Sequence, residues 1–359
     1  MELTSRERIR RIFHRESVDR IGLYEHFWGN TISAYQKAGH MQQGESPEVH
    51  FGLDIIEVGA INLVTDIDYK PQVVEETETT ITIRDGNGAI LRRHKLHETT
   101  PEHIGYAITC ADDWAKIRHR FTEIDERRIN FEGYRKRKAF AREHEKFLLL
   151  SSVNVFEAIH PICGHENMLF GMADDPDWIY DMADVLSNLI VRLQTILFER
   201  EGLPDGFWYS EDMGYKGTPF MSPQMYRDLI MPGHKKTFDF AHSLDLPVVV
   251  HSCGFVEPFV PYMIEAGMDC LQAMEVKAGM DLLRIYEKYG DKIVLMGGMD
   301  VRCMLGNNQK AIDKELEEKI PIVMQGNGYI LHSDHSIPST VHYETLRYFM
   351  KKGLELGRY

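Results

Sequence analysis

Eight short apolar runs, separated by stretches with helical patterning, constrain what this chain can fold into more than any other feature. They are Ile21-Gly-Leu-Tyr24, Asp54-Ile-Ile-Glu-Val58, Phe147-Leu-Leu-Leu-Ser151 and Gly206-Phe-Trp-Tyr209, followed by Pro247-Val-Val-Val250, Asp269-Cys-Leu-Gln272, Lys292-Ile-Val-Leu-Met296 and Gly328-Tyr-Ile-Leu331. Near-continuous apolar strands alternating with helices indicate a parallel sheet covered by helices. Eight of them predict an α/β fold of the closed (β/α)8 TIM-barrel type, with an open doubly wound sheet as the alternative. Helix signals agree. Thr4-Ser-Arg-Glu7 is a capping box, Pro176 opens a long helix to about Glu201, Ser222 starts another, and Ser339 is expected to cap a terminal helix ending near Gly353.

One stretch breaks the rhythm. Residues 72–98 alternate with period two around Asp85-Gly-Asn-Gly88, predicting a β-hairpin excursion inserted after the second strand. The polar segment 112–145 then returns the chain to strand three as a helical connection. Both are read as decorations of one domain spanning residues 1–359.

Composition removes several classes of function. The chain has 41 basic against 55 acidic residues, a formal charge of −14, which disfavours nucleic acid and anionic membranes as partners. No run reaches the ~20 apolar residues of a membrane span, and the first residues lack the apolar core of a signal peptide. Five scattered cysteines form no disulfide framework, so a reducing cytoplasm is expected.

In a barrel of this kind the chemistry lies at the carboxyl ends of the strands. Here those ends carry Glu25 and His26, Asn62, Asn154, Glu211 and Asp212, His251 and Cys253, Gln272 and Glu275, Asp300, and His332 to His335. Loop starts are often polar, which explains any one of these residues but poorly explains so many metal-competent groups on one rim. The sharpest signal is His251-Ser-Cys253. Side chains two apart on a strand share a side, and nitrogen with sulfur is a zinc donor pair. A third ligand is expected from another strand end. His335 is the first choice, with Glu211, Asp212 and Glu275 as competitors or supports. Cys163-Gly-His165-Glu166 reads as structural, while Met213, Met274 and Met299 are expected near the mouth as adaptable lining.

These motifs carry a resemblance. Thr4-Ser-Arg-Glu-Arg8 with Val18-Asp-Arg20, Ser222-Pro-Gln-Met, Pro232-Gly-His-Lys, His251-Ser-Cys-Gly254, Gly290 to Gly298 and Asp334-His-Ser-Ile-Pro338 resemble the uroporphyrinogen decarboxylase superfamily, which also contains the cobalamin-dependent methyltransferases. The family's decarboxylases carry substrate-binding arginines after strand one, where this chain has Leu23-Tyr-Glu-His-Phe-Trp. Its methyltransferases carry a zinc motif of His-x-Cys and a later cysteine. This chain matches the first two as His251 and Cys253 and has His335 where the cysteine would fall.

The resemblance therefore implies a zinc-dependent methyltransferase exchanging a methyl group between a small thiol or methoxy compound and a corrinoid (cobalamin) on a partner protein. His251, Cys253 and His335 would bind zinc; Glu211, Asp212 and His335 would serve catalysis; Glu25, His26, Asn154, Gln272 and Glu275 would contact substrate. By family analogy alone a homodimer is expected. The alternatives are a metal-independent decarboxylase of a tetrapyrrole or related acid, using Asp66, Glu211 or His335, and a non-catalytic tetrapyrrole or corrinoid binder.

Overall fold

The computed structural model describes residues 2–96 and 100–359. The first strands in chain order are β1 (Gly22–Leu23) and β2 (Ile55–Gly59). An excursion then contributes β3 (Gln72–Glu76), β4 (Thr80–Arg84), β5 (Ile90–His94) and β6 (Glu102–Gly105). The remainder are β7 (Phe147–Val153), β8 (Gly206–Ser210), β9 (Val248–Ser252), β10 (Cys270–Ala273), β11 (Val294–Met296) and β12 (Tyr329–Leu331). All eight apolar runs of the sequence become strands of one parallel sheet, in the order β1-β12-β11-β10-β9-β8-β7-β2.

That order places β1 and β2 at its two ends, and Asp54 joins them. Its N–H donates to the Leu23 carbonyl at 2.7 Å, and its carboxylate accepts from the Leu23 N–H at 2.8 Å. The sheet curls into a TIM-barrel-like α/β fold. Phe147 to Leu150 on β7 and Val248 to Val250 on β9 are buried, as strands packed on both faces require.

The helix signals hold with one exception. Thr4 Oγ1 accepts from the Glu7 N–H at 3.2 Å, Pro176–Glu201 is a single helix, and Ser222 caps the turn that follows it. The last helix, however, is Tyr343–Leu356, starting beyond Ser339 and running through Gly353. Gly353 does not stop it, because the glycine serves close packing: a Cβ there would lie 2.3 Å from Leu331 Cδ2.

The excursion is larger than a hairpin. It forms a four-stranded antiparallel sheet in the order β3-β4-β5-β6, with residues 97 and 98 outside the described residues. The expected turn lies between β4 and β5, where the Asp85 carboxylate accepts from the Asn87 and Ala89 N–H groups at 2.9 and 3.0 Å. β6 escapes sequence reading because Glu-His-Ile-Gly is too short to show alternation. Segment 112–145 is helical, chiefly Ala111–Ile117 and Phe131–Glu143. No described helix is long and apolar enough to cross a membrane.

Candidate metal centre

Strand parity decides which rim residues meet. On β8, Tyr209 faces outward and exchanges hydrogen bonds with Gln194 of the long helix, whereas Trp208 faces inward and stacks on His251, 5.8 Å between ring centroids. Continuing that alternation, Glu211 points outward and Asp212 inward. β9 runs beside β8 with Ser210 opposite His251, so Asp212 and Cys253 leave neighbouring strands together.

Two glycines let the following loops touch. Gly254 has φ +78°, and a Cβ on it would lie 2.2 Å from the Gly214 carbonyl carbon. The Cys253 N–H then donates to Asp212 Oδ1 at 2.9 Å.

The result is a compact donor set. One ligand-type atom each of Asp212, His251 and Cys253 lies within 4.8 Å of the others, the only such group of three among the described residues. His251 Nε2 stands 3.3 Å from Asp212 Oδ1 and 3.4 Å from Cys253 Sγ. Its other nitrogen, Nδ1, is hydrogen-bonded to Gln272 Oε1, and Gln272 Nε2 lies 3.3 Å from His332 Nε2. The His332 Nδ1, in turn, meets the Ser333 carbonyl.

One proton assignment satisfies this chain. His332 donates from Nδ1 and Gln272 donates to His332 Nε2, so Gln272 Oε1 accepts from His251 Nδ1. That leaves the His251 Nε2 lone pair aimed at a carboxylate and a sulfur. Burial drives His332 well below its ordinary value, consistent with a neutral ring.

Without a cation, protons must fill the gap. Burial pushes His251 down, but the facing Cys253 sulfur and Asp212 carboxylate outweigh it and raise the imidazole well above its usual value. Burial raises the Asp212 carboxyl, yet the His251 charge and the hydrogen bonds from His251 and Cys253 hold it at about 2. The Cys253 thiol is pushed up, chiefly by burial and against the pull of His251. Imidazole nitrogen, sulfur and carboxylate oxygen at these separations fit zinc, whose sites take such mixed donors. A cleft of about 650 Å³ opens beside Cys253, lined also by Tyr215, Glu275, Lys277 and Arg302. A larger cleft, about 850 Å³, lies at the amino ends of the strands, between Phe147, Pro247 and the first helix, away from these groups.

Several expected site residues go elsewhere. His335 does not join the cluster: it lies past a turn in which its carbonyl accepts from Ser333 Oγ at 2.6 Å, and its ring sits 6.0 Å from Trp28. Glu211 is fully buried in the wall behind the mouth. Its carboxylate accepts from the N–H groups of Phe156 and Glu157, opening helix Val155–Cys163, and meets His234 Nε2 at 2.6 Å. Asn154 also faces the helical layer, donating to Thr237 Oγ1 at 3.0 Å. Asp66 is ion-paired with Arg120 at 2.9 Å. Met213, Met274 and Met299 are buried and do not open onto the mouth.

Others stay near the mouth. Gln272 orients His251, and Glu275 accepts from the Gly254 N–H at 2.7 Å. Glu25 accepts from the N–H and hydroxyl of Ser333 at 3.0 and 2.8 Å, and burial lifts its carboxyl to about 8. His26 meets Glu57 Oε1 at 2.8 Å. Sequence reading missed Glu57, Trp208 and the orienting part of His332. It also read Cys163-Gly-His165-Glu166 in isolation, whereas His165 stacks on His160 at 4.1 Å and on His103 of β6 at 6.2 Å. Burial and the two neighbouring imidazoles take His165 down to about 4.

Residues 214–354 match the family described as uroporphyrinogen decarboxylase (URO-D). A methylated-thiol–coenzyme M methyltransferase of Methanosarcina mazei is 22% identical over 157 residues, which is 41% of this chain and 37% of that protein. The matched part thus spans little more than a third of that relative. A solved methyltransferase from Methanosarcina mazei superposes over 99% of both chains with TM-score 0.66 at 15% identity, a likeness of fold. The family match is confined to residues 214–354, and the solved structure extends a likeness of fold to the rest of the chain.

Proposed function

We propose that this chain is a zinc-dependent methyltransferase of the cytoplasm, moving a methyl group between a small thiol or methoxy compound and a corrinoid held on a partner protein. One observation carries the reading: His251 Nε2, its ring fixed by Gln272, faces Cys253 Sγ and Asp212 Oδ1, so an imidazole nitrogen, a sulfur and a carboxylate oxygen converge on one point. Three electron-rich groups converging this way are suited to a cation. His251, Cys253 and Asp212 would hold zinc, with Asp212 taking the place expected of His335. When bound, zinc supplies a Lewis acid that lowers a thiol's pKa or polarises a methoxy oxygen.

The chain's own groups do the rest. Gln272 holds the imidazole tautomer, and Glu275 tethers Gly254 and so the loop that carries Cys253. Asp212, its side chain partly open to solvent, holds negative charge beside the incoming heteroatom. The relative named for methylated thiols favours the sulfur substrate. Zinc-stripped protein should lose methyl transfer to added reduced cobalamin and regain it with zinc, across a panel of methyl thioethers and methoxy compounds. Transfer that persists after complete removal of metal would overturn the reading, as would decarboxylation of uroporphyrinogen unaffected by chelator.

A further inference from the structure

The mouth holds a second titratable group that the metal centre does not use. Glu57 faces inward from β2, and one oxygen, Oε1, meets His26 Nε2 at 2.8 Å while accepting from the Tyr24 hydroxyl at 2.7 Å. Burial pushes its carboxyl up, but the His26 charge and the hydrogen bonds of His26, Tyr24 and Ser151 bring it below the usual range. An ionised carboxylate is thus fixed in the barrel wall with an imidazole standing over it.

His26 is the more open partner, its side chain 31% exposed, and its Nδ1 meets no hydrogen-bonding group among the described residues. Its ring centroid lies 5.1 Å from Trp208 and 5.3 Å from His332, and the same Trp208 indole stacks on His251. One indole therefore separates this pair from the cluster of His251, Cys253 and Asp212. The neighbouring imidazole, His332, has both nitrogens occupied by Gln272 and Ser333. Glu25 faces the backbone N–H of His26, not its ring.

We propose that His26, oriented by Glu57, carries the proton that the substrate heteroatom gains or sheds during methyl transfer. This rests on the methyltransferase reading above. When a methyl group leaves a neutral oxygen or sulfur, the carbon–heteroatom bond breaks and its electron pair stays on the heteroatom. A reduced corrinoid would supply the electron pair that accepts the methyl carbon, and Nδ1–H of the His26 imidazolium protonates the departing oxygen or sulfur. In the opposite direction the neutral imidazole takes the proton of a thiol. His26 is the catalytic residue; Glu57 is a positioning residue, and Tyr24 holds the same carboxylate oxygen.

Donors that differ in their need for a proton provide the test. Demethylation of methoxyphenol or dimethyl sulfide releases a phenolate or a thiolate, which gains a proton, while trimethylsulfonium releases a neutral thioether, which needs none. With reduced cobalamin as acceptor, Glu57→Gln and His26→Gln should lower kcat on the neutral donors about 100-fold. Trimethylsulfonium turnover and zinc content should stay near wild type, which also certifies the fold. Equal losses on both donor types, no loss on either, or loss of zinc in the variants would overturn the assignment alone. Where wild-type protein accepts only neutral donors, a kcat loss at unchanged KM and zinc content supports it, and a KM rise without kcat loss overturns it. Wild-type protein silent toward every donor would overturn the methyltransferase reading, and the role of His26 with it.

Discussion

The two ends of the barrel both concentrate ionisable side chains, and they do so in opposite ways. At the amino ends, Asp54 is fully buried and every lone-pair direction is answered: Arg8 donates at 2.9 Å, Arg20 at 2.7 and 3.0 Å, and the Leu23 N–H at 2.8 Å. Arg8 is likewise occupied, with Asp19 at 2.7 Å and the Leu3 carbonyl at 2.7 Å. At the carboxyl ends, His251, Cys253 and Asp212 present acceptors to one another, and only protons or a metal can reconcile them. A saturated charge network pins β1 to β2 and closes the barrel. An unsaturated one marks where a ligand belongs.

Removing one charge from each end should separate these roles. Asp54→Asn leaves Arg8 buried with an incomplete counter-charge and should cost about 3–5 kcal/mol of stability, read by urea unfolding, with zinc binding unchanged in the folded fraction. A loss below about 1 kcal/mol would mean that the network closes nothing. Gln272→Met removes the group that fixes the His251 tautomer, so zinc affinity should fall about 10- to 100-fold by competition with a chromogenic chelator, while unfolding barely shifts. Unchanged affinity would mean that Gln272 does not hold the imidazole for metal.

A third test concerns Glu25, which sits between the two regimes: partly satisfied, yet buried. Its carboxyl titrates at about 8 in the fold against about 4.5 in the unfolded chain, so the folded state holds the extra proton between those values. Its stabilising contribution is complete below about pH 4.5 and is lost as pH rises through about 8. Glu25→Gln should therefore flatten the fall in Tm between about pH 5 and about pH 8, and an unaltered slope would show that this carboxyl is ionised throughout.

The barrel was legible because buried parallel strands must be apolar throughout, which makes runs such as Phe147-Leu-Leu-Leu visible without other context. His251 and Cys253 were legible for the related reason that parity puts them on one side. The same parity applied to β8 would have chosen Asp212 over Glu211, and a lone acid in Ile55-Ile-Glu-Val was the available sign of Glu57. His335 could not be judged in this way. It lies beyond the end of β12, where the turn through Ser333 sets direction and no periodicity operates. Gln272 and His332 gain their roles only through each other, across two strands that are sixty residues apart in the chain.

The zinc-edge X-ray absorption spectrum of protein purified without added metal reads the donor set of His251, Cys253 and Asp212 itself. About one equivalent of zinc is expected, with a single sulfur at about 2.3 Å and the remaining ligands nitrogen or oxygen, the sulfur shell vanishing in Cys253→Ser. A metal-free protein, or zinc whose spectrum is the same with and without the Cys253 sulfur, would contradict it.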